Sequence, residues 1–103
     1  MQTYILIDRQ PIPCDDLRVW GEWFENTDNR RVALDDVNGA EVSTVFLGID
    51  HNFSSHGPPL LFETMVFFDG NDVEAQRYAT WDAAVAGHAA LVAKYKAQAR
   101  NPL

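Results

Sequence analysis

The residues best able to do chemistry are gathered in one polar loop. Asp50, His51 and His56 lie close together there, and Glu63 follows on the next apolar run. Imidazole and carboxylate groups are ordinary zinc ligands, but their spacing here matches no closed metal motif. We therefore predict neither a bound metal nor a cofactor.

A hydrolase would need a nucleophile beside a base. Ser54, Ser55 and Thr64 lie near the two loop histidines in sequence. No nucleophile elbow or oxyanion-hole motif accompanies them, which makes a hydrolase or metal enzyme centred on His51 the third of three functional hypotheses.

Simpler roles are open to the same loop residues. Asp50 can orient His51, or Asp50 and Asn52 can cap the turn by bonding to the loop backbone, which is the commonest use of such side chains.

A second group of candidates follows later in the chain. His88 falls on an apolar helical stripe, where it is either a buried, hydrogen-bonded histidine or a group that points with Tyr78 toward the loop. Arg77 beside Glu63 or a ligand phosphate would hold an anion. Together with the loop, these residues predict one ligand-binding set: Asp50, His51, Asn52, Glu63, Thr64, Arg77, Tyr78 and His88.

Composition limits the class of protein. The 103 residues make one domain, and 47% hydrophobic residues are enough for a packed core. A net charge of -7 argues against general nucleic-acid binding. The single cysteine, Cys14, suits the cytoplasm, and the N-terminal apolar run is too short for a signal peptide or a membrane span. We expect a cytoplasmic protein with no membrane association.

The first half of the chain predicts a strand, a helix and a second strand. Residues 3–8 are rich in strand formers, and Pro11 and Pro13 should end that strand. Apolar residues then recur at helical spacing from Asp15, and Gly21 within that helix suggests close packing. Asn38-Gly39, the preferred pair for a type I′ hairpin, joins strands at 31–37 and 41–49.

The second half predicts a central hairpin within residues 42–68, a more polar strand at 73–79 and a long helix. Thr80 is the expected N-cap of that helix, and Asn101-Pro102 its end. The fold class is therefore α+β in the order β-α-β-β-β-β-α, with an antiparallel sheet of four or five strands.

Alternation along the central strands predicts one mixed face. It would contain Phe46, Leu61, Met65 and Phe67 together with Thr44, Asp50 and Glu63. Such a face can dock a ligand or partner, lie under a helix, or form a homodimer interface. Trp23, off the main helical stripe, is a further candidate contact.

Three segments carry a resemblance. They are Ser-Thr-Val-Phe-Leu-Gly-Ile-Asp-His-Asn-Phe (43–53), Gly-Pro-Pro-Leu-Leu-Phe-Glu-Thr-Met-Val-Phe (57–67) and Arg-Tyr-Ala-Thr-Trp-Asp-Ala-Ala-Val-Ala-Gly-His (77–88). This second half of the chain resembles the shared core of a family of small phage- and prophage-encoded proteins with no settled activity. The resemblance implies a phage-encoded accessory protein in the host cytoplasm and, by analogy, interference with host defence.

From these observations we predict a non-enzymatic protein that captures a small ligand, such as a nucleotide-like molecule, beside the 50–59 loop. The alternative is a protein-protein inhibitor that binds a host factor through an acidic or mixed sheet face.

Overall fold

Two β-sheets and three helices make up residues 1–99, the part of the chain that this computed structural model describes. In chain order the elements are β1 (Tyr4–Ile7), β2 (Gln10–Pro13), α1 (Leu17–Glu25), α2 (Thr27–Arg30), β3 (Arg31–Val37), β4 (Ala40–Phe46), β5 (Phe62–Phe68), β6 (Asn71–Tyr78) and α3 (Trp81–Ala99). The predicted α+β class is confirmed, with β2 and α2 in addition. The predicted helix end at Asn101-Pro102 lies outside the described residues.

The larger sheet is an antiparallel meander in the order β3-β4-β5-β6. Asn38 and Gly39, with φ values of 53° and 89°, make the predicted turn between β3 and β4. Asp69 and Gly70 have similar positive φ values between β5 and β6. Two-residue turns of this kind match the right-handed twist of the strands they join.

The smaller sheet corrects the prediction that Pro11 and Pro13 end the first strand. Both lie within β2, which pairs antiparallel with β1. In an antiparallel pair only every second backbone amide of a strand points toward its neighbour. The amide of Cys14, the residue after β2, points toward β1 and donates to Thr3 O at 2.8 Å. The amides of Gln10 and Ile12, four and two residues before Cys14, therefore point toward β1 as well. The nitrogens of the two prolines between them point away from β1, where no donor is needed.

Helix α1 begins where the sequence predicts. Asp16 caps it by accepting hydrogen bonds from the backbone amides of Arg18 and Val19 at 3.0 and 3.2 Å. An added Cβ at Gly21 would meet nothing within 4 Å, so the predicted close packing there is wrong. Trp23 is half-buried and packs edge-on against Phe46, with ring centroids 5.7 Å apart.

Helix α3 packs across all four strands of the larger sheet. Thr80 Oγ1 accepts a hydrogen bond from the amide of Ala83 at 3.1 Å, which confirms the predicted N-cap. The buried side chains beneath the helix form two clusters, Ala40, Val42, Val66 and Leu91 at one end and Phe46, Leu61, Phe62 and Ala84 at the other. We call this side of the sheet the inner face.

The register of β4 and β5 corrects the predicted mixed face. Phe46 lies opposite Phe62, and Thr44 opposite Thr64, so these four side chains share the inner face. Met65 and Phe67, with Glu63, point to the other side. Alternation fixes which residues of one strand share a face, but only the register aligns the faces of two strands.

Candidate functional site

The eight residues predicted to form one site fall in three separate places. Asp50, His51 and Asn52 lie in the loop between β4 and β5, and Glu63 and Arg77 lie on the side of the sheet away from α3. Thr64 and Tyr78 lie beneath α3, and His88 lies on α3 facing them. Glu63 and Thr64 are consecutive on β5 and therefore point to opposite sides.

The side chains of Asp50 and Asn52 hold the loop together, as the capping interpretation predicts. Asp50 Oδ1 accepts from the amides of Asn52 and Leu60 at 2.7 and 2.8 Å, which closes the base of the loop. Asn52 Nδ2 donates to the carbonyl oxygens of His56 and Pro58 at 2.8 and 2.9 Å. These polar atoms therefore form hydrogen bonds with the loop's own backbone.

The loop is also fixed to the body of the protein. Gly48, with φ 75°, lies so close to Phe24 that an added Cβ would come within 2.9 Å of that ring. The amide of Tyr4 donates to Gly48 O at 2.8 Å. The loop therefore leaves the sheet at an angle set by packing and hydrogen bonding.

One large apolar side chain projects from this fixed loop. Phe53 is 83% exposed, and its ring lies 5.7 Å from that of His51. His51 Nδ1 bonds to Ile49 O at 2.9 Å, which orients the imidazole. Phe53 is therefore an exposed aromatic ring on a loop held by its own hydrogen bonds.

Glu63 and Arg77 form an ion pair at the end of the sheet next to the loop. Arg77 Nε donates to Glu63 Oε2 at 2.9 Å. Arg77 therefore has one carboxylate partner on the next strand, as one of the sequence hypotheses allowed, and its side chain stays 43% exposed.

A continuous chain of polar groups crosses the inner face. Tyr78 Oη bonds to Thr64 Oγ1 at 3.1 Å, and the hydroxyls of Thr64 and Thr44 lie 2.5 Å apart. Thr44 Oγ1 lies 2.7 Å from His88 Nδ1, and His88 Nε2 lies 2.7 Å from Asp35 Oδ2. His88 is thus the buried, hydrogen-bonded histidine that one interpretation of the sequence predicts.

The proton positions in this chain follow from the acceptor at its end. A carboxylate only accepts, so His88 Nε2–H donates to Asp35. When the ring carries a proton on Nε2 alone, Nδ1 accepts from Thr44. Thr44 then accepts from Thr64, and Thr64 from Tyr78. If His88 gains a second proton, every hydroxyl can reverse, since Tyr78 Oη can donate to Gln76 Oε1 at 3.3 Å. The chain is satisfied in either protonation state.

The order Asp35, His88, Thr44 resembles an acid, base and hydroxyl nucleophile. Thr44 is 0% exposed and Thr64 likewise, beneath α3 and between strands. A substrate carbonyl cannot reach the Thr44 hydroxyl in this arrangement. We therefore assign the network a structural role.

Gly87 makes room for the hydroxyl end of this network. A Cβ at position 87 would overlap the Tyr78 ring and its hydroxyl. Tyr78 can therefore reach Thr64 only because α3 carries no side chain at this point.

Two residues important to these sites, Asp35 and Phe53, were missed by sequence reasoning. Thr44 was placed on the mixed face but not beside His88. The partners of Asp35 and Thr44 come from other strands and from α3, which only register reveals. Phe53 carried a usable signal, since it is the one aromatic residue in an otherwise polar loop.

The sheet's other side, which we call the outer face, has no helix of residues 1–99 packed on it. The register arranges its side chains in three rows across the strands. The first row is Asp36, Glu41, Phe67 and Asp72, the central row is Leu34, Ser43, Met65 and Ala75, and the third row is Arg31, Val45, Glu63 and Arg77.

Two clefts lie away from the loop. An apolar groove of about 460 Å³ lies between the turns of the sheet and the second half of α3, lined by Val37, Asn38, Ala40, Phe68, Val73, Tyr95 and Gln98. A cleft of about 300 Å³ separates the β1–β2 turn from the start of α3. Near the groove, Lys94 and Tyr95 both donate to Glu74, at 2.8 Å. The hydrogen bonds from Lys94 and then Tyr95 hold the Glu74 pKa below its usual value.

Within residues 1–99, no three His, Cys, Asp or Glu side chains are grouped as metal ligands would be, and no helix there is long and apolar enough to cross a membrane. Comparison of the chain with protein-family models, curated proteins and solved structures gives no match. The resemblance to phage and prophage proteins therefore stays a prediction.

Proposed function

We propose that this protein is a non-enzymatic binding protein that presents the 50–59 loop to a partner protein. The observation that carries the proposal is Phe53, 83% exposed on a loop whose polar side chains are bonded to the loop itself. The partner would provide an apolar pocket for the ring within a basic surface.

Preorganisation is the first argument. Binding a flexible loop costs free energy because its backbone and side chains lose freedom on docking. Here Asp50 and Asn52 have already fixed the loop in the free protein. Because little ordering remains to be paid on docking, most of the free energy of burying the exposed ring can contribute to affinity.

Charge is the second argument. With a net charge of -7, the protein attracts basic surfaces and repels acidic ones at distances up to the Debye length. Such attraction mainly raises the association rate and selects the partner, while the buried ring supplies affinity. The resemblance to phage proteins adds the expectation that the partner is a host protein.

The same geometry favours this function over ligand capture at the loop. A small ligand would need free donors and acceptors, but Asp50 Oδ1 and both side-chain amide atoms of Asn52 already bond to backbone groups. The polar residues of the predicted set also lie on opposite sides of one sheet, so no single pocket can use them all.

The test compares Phe53→Ala with Val85→Ala, a smaller truncation of an exposed apolar side chain on α3, away from the loop. Proteins retained from a host extract by the wild-type chain are identified and purified, and binding is then measured by calorimetry. Loss of a central aromatic anchor should weaken binding at least thirtyfold, while Val85→Ala should bind like the wild type. Asp50→Ala, which opens the loop base, should weaken binding by a smaller factor.

Equal affinity of Phe53→Ala and wild type for every retained partner would overturn the proposal. A melting-temperature increase with a nucleotide, lost in His51→Ala, would instead establish the ligand-capture alternative.

A further inference from the structure

The charges of the outer face are separated along the strands. Its first row carries three carboxylates, those of Asp36, Glu41 and Asp72. Its third row carries the guanidinium groups of Arg31 and Arg77 against the single carboxylate of Glu63. The row between them has no charged side chain. One end of this open face is therefore acidic, and the other is weakly basic.

This pattern is complementary to itself under one rotation. Consider a second copy stacked face to face on the first, with a two-fold axis that runs across the strands along the central row. The strands of the second copy then run in the reverse direction. The acidic row of each copy then lies over the basic row of the other. At the two sheet edges, Asp36 meets the second copy's Arg31, and Asp72 meets its Arg77.

The central row meets its own counterpart in this arrangement. Leu34, Met65 and Ala75 provide apolar side chains there, and Ser43 is small and uncharged. Leu34 is 43% exposed in the single chain, so pairing would remove apolar area from water. Isologous contacts of this kind place each residue on the axis against itself.

The other face-to-face rotation is disfavoured. An axis parallel to the strands would place acidic row on acidic row, with Asp36 over the second copy's Asp72. Like charges at close range across an interface cost several kcal/mol. The charge pattern thus selects one orientation and excludes its competitor.

The size of the face sets the expected strength. Four strands of seven or eight residues, about 4.8 Å apart and rising about 3.4 Å per residue, span about 450 Å² in projection. Stable complexes bury about 800 Å² per partner, so the expected contact dissociates on dilution. Packed sheets cross at about -30°, which shifts the outer rows sideways by a few ångströms, within reach of arginine side chains.

We infer that the outer face binds a second copy of this chain, with the central row on the two-fold axis and Asp72–Arg77 and Asp36–Arg31 ion pairs between copies. This dimer is independent of the loop proposed to bind a partner protein, because Phe53 lies outside the twelve residues of the outer face.

Sedimentation equilibrium of the purified chain over micromolar to millimolar concentrations tests this inference. The mass should rise with concentration from 11.6 kDa toward twice that value. Met65→Glu brings two carboxylates together on the axis and should weaken association at least tenfold. Thermal melting of each variant shows that it is folded.

A charge exchange gives the sharper result. Arg77→Glu and Asp72→Arg should each weaken association, and the double variant should restore it. Residues 72 and 77 lie on one strand, about 16 Å apart at about 3.3 Å per residue, so they cannot pair within a chain. Recovery of association in the double variant would therefore show a contact between copies.

Matched controls change the same charges elsewhere. Arg18→Glu on α1 and Asp82→Arg on α3 alter net charge equally and should leave association unchanged. A constant mass of 11.6 kDa at all concentrations would overturn the inference. Dimerisation that survives Met65→Glu, or that the double exchange does not restore, would overturn it as well.

Discussion

The two faces of the four-stranded sheet use polar residues in opposite ways. Under α3, two threonines of the inner face and His88 of the helix are buried, and with the half-buried Tyr78 they form one chain of hydrogen bonds that ends on Asp35. The outer face has no helix of residues 1–99 over its charges, and it gathers three carboxylates at one end and two arginines with Glu63 at the other. Polar residues alone therefore do not mark the solvent side of a sheet, because burial is tolerated where every group has a partner.

This comparison implies a large difference in sensitivity to substitution. A change on the inner face leaves a sealed donor or acceptor without its partner, which costs the desolvation of that group. A change on the outer face leaves the affected group in water, where the cost in stability is small.

The largest expected effect is that of His88→Ala. It removes the partner of Thr44 and leaves a cavity beneath α3, so the free energy of unfolding should fall by about 3 kcal/mol. His88→Asn can still reach Thr44 and should lose less. Urea unfolding measures both variants. A loss near zero for His88→Ala would mean that the network does not hold α3 on the sheet.

Thr44→Val should come next, with a loss of about 2 kcal/mol, because Thr64 and His88 Nδ1 each lose a partner. Thr44→Ser keeps the hydroxyl and should cost about 1 kcal/mol for the lost methyl group. Ser43→Ala, the neighbouring change on the outer face, should stay within about 0.5 kcal/mol. Equal losses at positions 43 and 44 in the same unfolding assay would remove the distinction between the two faces.

The same substitution in two helices should have opposite signs. Gly87→Ala forces the Tyr78 ring off Thr64 and should destabilise by about 1.5 kcal/mol, even after the gain in helix propensity. Gly21→Ala has open space and should stabilise by up to about 1 kcal/mol. Melting temperatures compare the two, and stabilisation by Gly87→Ala would show that Tyr78 is free to move.

The smallest effect is expected at Glu74, at the edge of the sheet. Its pKa in the folded protein lies below the usual 4.5 because Lys94 and then Tyr95 donate to it. The stability that ionised Glu74 contributes is therefore present above pH 4.5, and it is lost as pH falls through the lower pKa that Glu74 has in the folded protein. The hydrogen bond to Glu74 raises the pKa of Lys94 from 10.5. The stability that charged Lys94 contributes is therefore lost as pH rises through the pKa that Lys94 has in the folded protein.

Glu74→Gln should lower stability by only a fraction of a kcal/mol near neutral pH, because the Lys94 side chain is 47% exposed and water screens the pair. The difference from the wild type should disappear below the folded pKa of Glu74. A difference that persists unchanged in acid, measured by unfolding across pH, would assign the effect to packing instead.

The elements of the fold were largely predictable because their signals are local. Asn38-Gly39 permits the positive φ values of its turn, and Thr80 provides the hydroxyl that caps α3. Strand β2 was not predictable in this way, since its prolines are tolerated only because the ladder needs no donor from them.

The sites depended on information that is not local. The capping role of Asp50 and Asn52 was among the predicted alternatives, because their partners lie within the loop itself. The structure separates Glu63 from Thr64 and His88, because consecutive residues of β5 point to opposite sides of the sheet. Which threonines reach His88 depends on the register of β4 and β5, which their long connection leaves open.

The sequence by itself determined the α+β class, the turns, the caps and the helical stripe of α3, because these depend on dihedral preferences and on the period of apolar residues. Only the tertiary structure decided which strand faces meet, which threonines reach His88 and which charges share a row. Those pairings depend on contacts between residues far apart in the chain, and the free energy of sealing the inner face under α3 selects one register among several.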